Sequence, residues 1–396
     1  MSLRSVLPAS LMLLGTWSGW STASTLSCAD WTLWRAYADR FIQADGRVVE
    51  FTAGARTTSE GQAYALFFSL IANDRKRFDQ ILAWTEDNLV QGRLGDRLPA
   101  WLWGKDAAAG RWHILDANSA SDADLWLAYT LLEAGRLWSE QAFTARARAL
   151  IERIREAEVI CLPQIGPMLL PGPHGFRVDE KTWRFNPSYL PLQVLRALAE
   201  QDPGGPWQRL AESTITMISA TSPKGLVPDW VAYEEQKGFV PDPIKGATGS
   251  FDAIRVYLWA GMLDSSDALA SALLEATSGM HRMLDRLGLP PMYVDSMTGT
   301  ARDAGPVGFS AALLPYLQAR SDRRQLARQR RRVVASRSSD LIGQLPRYYE
   351  QNLALFGEGA LEGRIRFASN GQLVPSWVNL CHASSSQRSS SSPSQP

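Results

Sequence analysis

The apolar positions of this chain recur at helical spacing almost from end to end, and the helices they predict are of two kinds. One kind carries a single apolar stripe. Trp31, Trp34, Ala38 and Phe41 form one stripe, and Phe78, Ile81, Leu82 and Leu89 a second. Phe143, Ala147, Leu150, Ile151 and Ile154 form a third, and Trp207, Leu210, Met217 and Ile218 a fourth. Their members stand mostly three or four residues apart with charges between, as in a helix packed on one side. The other kind is apolar nearly all round, over residues 63–71, 125–132, 189–198, 253–263 and 308–317. A helix without a polar face is buried on every side.

The two kinds alternate, striped then buried, in about six pairs that close with helices near 323–332 and 348–356. A ring of buried helices inside a ring of striped ones satisfies both patterns, so the expected fold is all-α, an (α/α)6 barrel. Strand-like alternation is scarce, which disfavours a (β/α)8 barrel. No linker divides residues 28–382, which read as one domain. The longest Gly/Pro/Asn-rich connections cover 90–119, 159–187, 221–249 and 280–306, and each runs into the start of a buried helix. Long loops gathered at one end of a barrel build sites. The inner-helix N-termini are therefore expected to floor a cleft.

Three of those N-termini carry a small hydroxyl residue followed by an acid: Thr58-Ser59-Glu60, Ser121-Asp122-Ala123-Asp124 and Ser250-Phe251-Asp252. Taken singly, each reads as a helix cap, with the hydroxyl accepting from free N–H groups and the acid suiting the helix dipole. Ser121-x-x-Asp124 is even spaced like a capping box. Taken together, Glu60, Asp122 and Asp252 converge on one pocket if the barrel is right. Trp101, Trp103, Trp112, Trp126, Trp183, Trp230 and Trp259 lie in or beside the loops that would wall it.

Composition sharpens this reading. Trp occurs 15 times, about three times ordinary usage, and indole faces are flat, amphipathic platforms that suit sugar rings. Trp31, Trp34, Trp84, Trp138 and Trp207 sit on stripes and read as packing. Trp101, Trp103 and Trp183 sit in loops, where either packing or stacking on a sugar ring accounts for them. The charge is near balance, 41 basic against 40 acidic residues. That excludes the basic surplus of a nucleic-acid binder. The Arg-rich run Arg323, Arg324, Arg328, Arg330, Arg331, Arg332 reads as the solvated face of an outer helix. Three Cys and four His, with no C-x-x-C or H-E-x-x-H, argue against a zinc site. Phosphate and dinucleotide cradles are also absent, so no cofactor and no metal are expected. Two carboxylates in an aromatic trough fit glycoside hydrolysis, one protonating the departing oxygen and the other, ionised, activating water or attacking the sugar.

The ends differ from the body. Residues 1–27 read as an export signal, with Arg4 as n-region, an apolar segment to Trp17 and small residues Ser21-Thr22-Ala23. No other stretch is apolar and long enough to insert in a membrane. A periplasmic or secreted location follows, and export permits disulfides. Cys28 and Cys381 either bridge the two ends of the body or remain separate thiols. Residues 383–396 are Ser-rich and expected to be disordered.

The segment Ala120-Ser121-Asp122-Ala123-Asp124-Leu125-Trp126-Leu127-Ala128-Tyr129 through Trp138 resembles the signature of glycoside hydrolase family 8. Thr57–Gln62, Leu98–Gly104, Phe185–Pro191, Pro228-Asp229-Trp230, Asp252–Tyr257 and Gly305–Ala312 extend the resemblance from Cys28 to about Trp377. It reaches the branch of that family that accompanies bacterial cellulose synthesis. The resemblance implies an inverting, periplasmic endo-β-1,4-glucanase. Its partners would be cellulose or β-1,4-glucan oligosaccharides, with the cellulose synthase export machinery as a candidate. By position it implies Glu60 as general acid, Asp252 as general base and Asp122 as the acid that holds the sugar distorted. Tyr189 and Arg255 match positions near the attacking water and the base, and Asn186 is a candidate for sugar hydroxyls. Inversion requires carboxyls about 6.5–9.5 Å apart. Phe251 departs from the family by losing a hydroxyl beside the base. Relatives acting on xylan, chitosan or mixed-linkage glucan, and a non-catalytic glucan-binding scaffold, remain as alternative readings.

Overall fold

The computed structural model describes residues 31–378. Residues 1–27, expected to be an export signal, Cys28, Cys381 and the Ser-rich tail lie outside the described residues; Cys161 is an exposed free thiol.

Among the described residues, thirteen α-helices build two concentric rings. The inner ring holds α2 (Ser59–Ile71), α4 (Ser121–Leu137), α6 (Leu192–Gln201), α8 (Ala253–Met262), α11 (Val307–Ala319) and α13 (Tyr348–Leu361). The outer ring holds α1 (Thr32–Phe41), α3 (Arg75–Thr85), α5 (Gln141–Glu158), α7 (Trp207–Thr221), the pair α9 (Ala270–Ala276) and α10 (Ser278–Leu287), and α12 (Arg323–Ala335). Each outer helix packs on its inner neighbour in sequence, except α10, which packs on α9, and α1, which closes the circle against α13. This is the (α/α)6 barrel that the two kinds of apolar pattern predict. In α2, twelve of thirteen residues are buried. In α5, the buried apolar residues are Phe143, Ala147, Leu150, Ile151 and Ile154, the five of its stripe.

The inner helices approach so closely that two positions admit no side chain. A Cβ on Gly261 of α8 would stand 2.1 Å from the backbone nitrogen of Tyr316 in α11. A Cβ on Gly357 of α13 would stand 1.9 Å from the carbonyl oxygen of Ala311. Glycine at these points lets backbone meet backbone.

The barrel axis is plugged with aromatic rings from four inner helices. Phe67 meets Trp126 at 4.8 Å between centroids, Trp126 meets Trp259 at 5.4 Å, Trp259 meets Phe356 at 5.2 Å, and Phe356 returns to Phe67 at 5.6 Å. Three of these contacts are tilted or edge-on and the last is stacked, geometries that favour aromatic packing beyond the area they bury. Trp126 and Trp259 therefore belong to the core and not to the cleft wall where the sequence reading puts them. Both lie one helical turn below a polar residue of the site, which makes them look loop-adjacent in sequence while their rings point down the axis.

The long connections hold small antiparallel sheets that the sparse alternation does not reveal. Strands β1 (Thr57–Thr58), β2 (Leu102–Lys105) and β3 (Trp112–Asp116) form one. Strands β4 (Val159–Leu162) and β5 (Gly166–Leu169) form a hairpin. Strands β6 (Thr182–Phe185), β7 (Val231–Glu234) and β8 (Gly238–Pro241) form a third sheet, and β9 (Thr248–Gly249), β10 (Pro291–Asp295) and β11 (Ala301–Ala304) a fourth. With two to five residues each, these strands are too short to show a period. The expected loop 280–306 is also helical at its start, where Met280, Met283 and Leu284 are buried on α10 and Gly288, at φ +76°, ends the helix.

Candidate active site

The inner helices begin on the face where these sheets stand, and their first turns bring four charged residues together. Arg255, in the first turn of α8, is the hub. Its side chain is 3% exposed. Its Nη1 bonds Glu60 Oε1 and lies 3.7 Å from Asp122 Oδ2. Its Nη2 donates to Asp252 Oδ1 at 2.9 Å and to Ser188 Oγ at 2.8 Å. One guanidinium thus gathers acids from α2, α4 and the start of α8, with Glu60 and Asp252 on different nitrogens. The planar fork of Arg suits this shared geometry.

Local structure corrects the simple capping reading. Thr58 does cap α2, accepting from Gly61 N at 3.2 Å. Ser121 does not cap α4: Ala120 occupies that position, and the Ser121 hydroxyl has no partner among the described residues. Ser250 does not cap α8 either, since its hydroxyl donates to the Met292 carbonyl. Asp229 does that work from the preceding loop. Its Oδ1 accepts from Ser250 N at 2.7 Å and Ala253 N at 2.8 Å, clamping the turn that carries Asp252. Burial first, and then the charge of Asp252, push the Asp229 carboxyl up to about 6. The sequence reading assigns Asp229 no role, because it stands 24 residues before Ala253 and reaches the start of α8 only through the fold. Asp229→Ala is expected to cost about 1 kcal/mol of stability and to lower kcat more than it raises KM. Asp229→Asn, which keeps the accepting oxygen, should restore both. Urea denaturation and steady-state kinetics on soluble glucan measure the pair.

The acids differ in their surroundings. The Glu60 side chain is 24% exposed, open enough to meet a ligand, yet the protein around it pushes its carboxyl above the usual range. Burial is the largest cause; Arg255 opposes it, the charge of Asp252 adds to it, and a hydrogen bond from Tyr64 opposes it. At a helix N-terminus the dipole alone would lower this group, and here desolvation wins. Asp122 is almost sealed, at 3%. Burial, then the charge of Glu60, hold its carboxyl well above the ordinary range. Asp252 is the most open of the three, at 33%.

Beside the acids lies a cleft of about 380 Å³. Trp101, Tyr189, Trp230, Phe176 and Arg184 are among its walls. Phe176 and Trp230 stack at 5.8 Å and 11°, and Arg184, paired with buried Asp242 at 2.6 Å, lies over Trp230. Tyr189 joins cleft to acids, with the Arg255 guanidinium 5.7 Å from its ring. Of the aromatic residues singled out from sequence, Trp101, Tyr189 and Trp230 line this cleft. Trp103 stands apart, its ring 5.1 Å from Trp112 and covered by Arg47 at 4.4 Å. Trp183 leaves β6 on the other side from Arg184 and packs towards Tyr233. Asn186 is buried. Its Oδ1 accepts from the N–H and the hydroxyl of Ser188, and so it orients the Ser188 oxygen that receives Arg255. Phe251 is half-exposed, and its carbonyl accepts from the Tyr349 hydroxyl, which brings a phenol to the edge where the Phe251 ring has none.

A double ring of helices with carboxylates gathered over an aromatic cleft defines the protein class: this molecule is a glycoside hydrolase. The family model described as "Glycosyl hydrolases family 8" matches residues 9–363, and the chain belongs to that family. It is 50% identical over 356 residues to an endoglucanase of Xanthomonas axonopodis pv. citri, covering 90% of this chain and 91% of the relative. It is 45% identical over 359 residues to an endoglucanase of Escherichia coli K12, covering 90% and 94%. Among solved structures, an endo-1,4-D-glucanase from Vibrio fischeri superposes with a TM-score of 0.83 at 40% identity, over 88% of this chain and all of that one.

Proposed function

We propose that this protein is an exported endo-β-1,4-glucanase that cleaves internal bonds of cellulose with inversion, in the service of cellulose production. The observation that carries the chemistry is the meeting of Glu60, Asp122 and Asp252 on Arg255 beside an aromatic cleft. The endoglucanase names of relatives that match over nine-tenths of this chain support the substrate.

In this reading Glu60 is the general acid. Desolvation keeps its proton at a pH where an exposed carboxyl has lost it. It gives that proton to the glycosidic oxygen as the bond to the anomeric carbon breaks. Asp252, open to solvent and paired with Arg255, takes a proton from a water, whose oxygen bonds to the anomeric carbon from the opposite face. Asp122, fixed by Ala123 N at 2.8 Å, is assigned in this reading to hold the sugar distorted at the cleavage point. Trp101, Tyr189 and Trp230 offer ring faces to the glucan. The proton gained by Asp252 and that lost by Glu60 are exchanged with solvent before the next turn.

Anomer-resolved NMR on cellopentaose tests the reading. The first product signal is expected to be the α-hemiacetal, with cuts away from the chain ends. A β-hemiacetal appearing first would overturn inversion. Intact cellopentaose beside cleaved xylan or chitosan oligomers would overturn the substrate. Export is tested by osmotic-shock fractionation, with a mature N-terminus near residue 28 expected.

A further inference from the structure

Directly behind the cleft wall lies a second pair of acids that the hydrolytic mechanism does not use. Asp124, two residues after Asp122, and Glu158, the last residue of α5, are both fully buried. Their carboxyls are in hydrogen-bond contact with each other. Glu158 Oε1 accepts from the Ser119 hydroxyl at 2.7 Å. The same Ser119 hydroxyl also bears on Asp124, and no further donor reaches Glu158 Oε2 or the Asp124 oxygens among the described residues. No ion pair to either acid occurs among the described residues. On α4 the only other acid bearing on the pair is Asp122. The strand and loop side, Leu169, Leu170 and Pro171, carries no ionisable side chain. Arg196 of α6, which packs on α4, is already engaged by Asp267 at 2.6 Å.

Two carboxylates in contact, out of water and without a cation, cannot both be ionised. A proton shared between them satisfies one of the oxygens that otherwise lacks a donor. The pair is also wired to the site. Ser119 lines the cleft with Asn118 and Ala120, and the Asn118 carbonyl receives Trp101 N at 2.6 Å. The Glu158 carbonyl receives Leu170 N, and Ser121 N donates to the Pro171 carbonyl at 3.0 Å. The carboxyl pair thus sits where the wall loop, the first turn of α4 and the end of α5 are tied.

We propose that Asp124 and Glu158 share one proton and act as positioning residues for the 118–122 segment, so that the glucan cleft keeps its shape only while that proton is held. The proposal rests on the glucanase reading for its kinetic readout but not for its stability readout. Burial raises both carboxyls, Glu158 to about 7. In the unfolded chain the same groups release their protons near 4. The folded state therefore holds more protons between about 4 and 7, and the contribution of the pair to stability falls as pH rises through that window. Above 7 a second charge is forced into the pocket, Ser119 loses its fixed partner geometry, and the wall loosens.

Glu158→Gln tests this, because the amide can donate to Asp124 and still accept from Ser119. Wild-type Tm is expected to fall between pH 5 and 8, and the variant curve to be flatter. Wild-type KM for soluble β-1,4-glucan should rise above pH 7, by up to about tenfold per pH unit for loss of one proton, with kcat little changed; the variant should lose that rise. Parallel Tm curves with identical KM profiles would overturn the proposal. If Glu158→Gln does not fold, Asp124→Asn provides the same comparison. Infrared difference spectra of the wild type against whichever variant folds then ask whether a protonated-carboxyl band present at pH 6 is lost with the pair, since Glu60, Asp122 and Asp229 are common to both; identical bands at pH 6 would also overturn the proposal. Flattened Tm curves in a protein that cleaves no glucan would sink the glucanase reading and leave the shared proton standing.

Discussion

Glu60→Gln is expected to lower kcat on carboxymethylcellulose by about 10²–10⁴-fold while leaving oligosaccharide binding within a few-fold of wild type. The amide matches the carboxyl in shape but has no proton to give at the departing oxygen. Asp252→Asn should lose activity on the same scale, for the complementary reason that it cannot take a proton from water. The two variants separate on an activated aryl cellobioside, whose leaving group departs without protonation. There Glu60→Gln should recover most of its rate and Asp252→Asn almost none. The pH profile gives a second separation. Glu60 acts in its protonated form, and burial raises its carboxyl, so wild-type activity should be lost as pH rises through that group. Glu60→Gln should lack this alkaline limb. Equal losses on both substrates, or an alkaline limb that survives in Glu60→Gln, would remove the acid assignment.

The architecture was legible because burial writes itself into the apolar period. A helix such as α11, with residues 308–317 all buried, has no polar face to hide, and a helix such as α12 shows its exposed arginines at helical spacing. The short sheets were not legible, since a two- to five-residue strand in a Gly/Pro-rich connection has no measurable alternation. The acids could be grouped from sequence because each opens an inner helix. A further regularity becomes clear from the fold: Glu60 and Tyr64, Asp122 and Trp126, and Arg255 and Trp259 are each one turn apart, polar at the cleft and aromatic on the axis. That i, i+4 pairing carries the distinction between site and plug that Trp counting alone misses. The loop aromatics could not be assigned because a strand sends successive side chains to opposite faces. Arg184 and Trp183 are neighbours in sequence, yet only Arg184 lines the cleft. Asn186 and Asp229 act through backbone N–H groups and a serine, and such roles depend on where the chain returns in space.

Arg255→Met should do more damage to the site than its conservative volume suggests. Among the described residues, the guanidinium is the one cation bonded to Glu60 and Asp252 and within 4 Å of Asp122. Without it three carboxyls face one another across a partly dry space, and like charges there are relieved by taking up protons. Removing one member of a buried ion network costs about 3–5 kcal/mol; the open sides of Glu60 and Asp252 admit solvent, which places this case at the lower end. The loss should be greatest at pH 8, where all three acids seek to ionise. The Tm gap to wild type should narrow as pH falls towards 4 and the carboxyls protonate. Activity should fall as well, because a base that holds a proton cannot activate water, and the remaining rate should rise on moving to higher pH. Arg255→Lys separates charge from geometry. A single ammonium restores the cation but cannot hold Glu60 on one nitrogen while bonding Asp252 and Ser188 from another. It should recover most of the stability and little of kcat. Full recovery of kcat by lysine would show that charge alone organises the acids, and an Arg255→Met protein as stable as wild type at pH 8 would show that they do not depend on a shared cation.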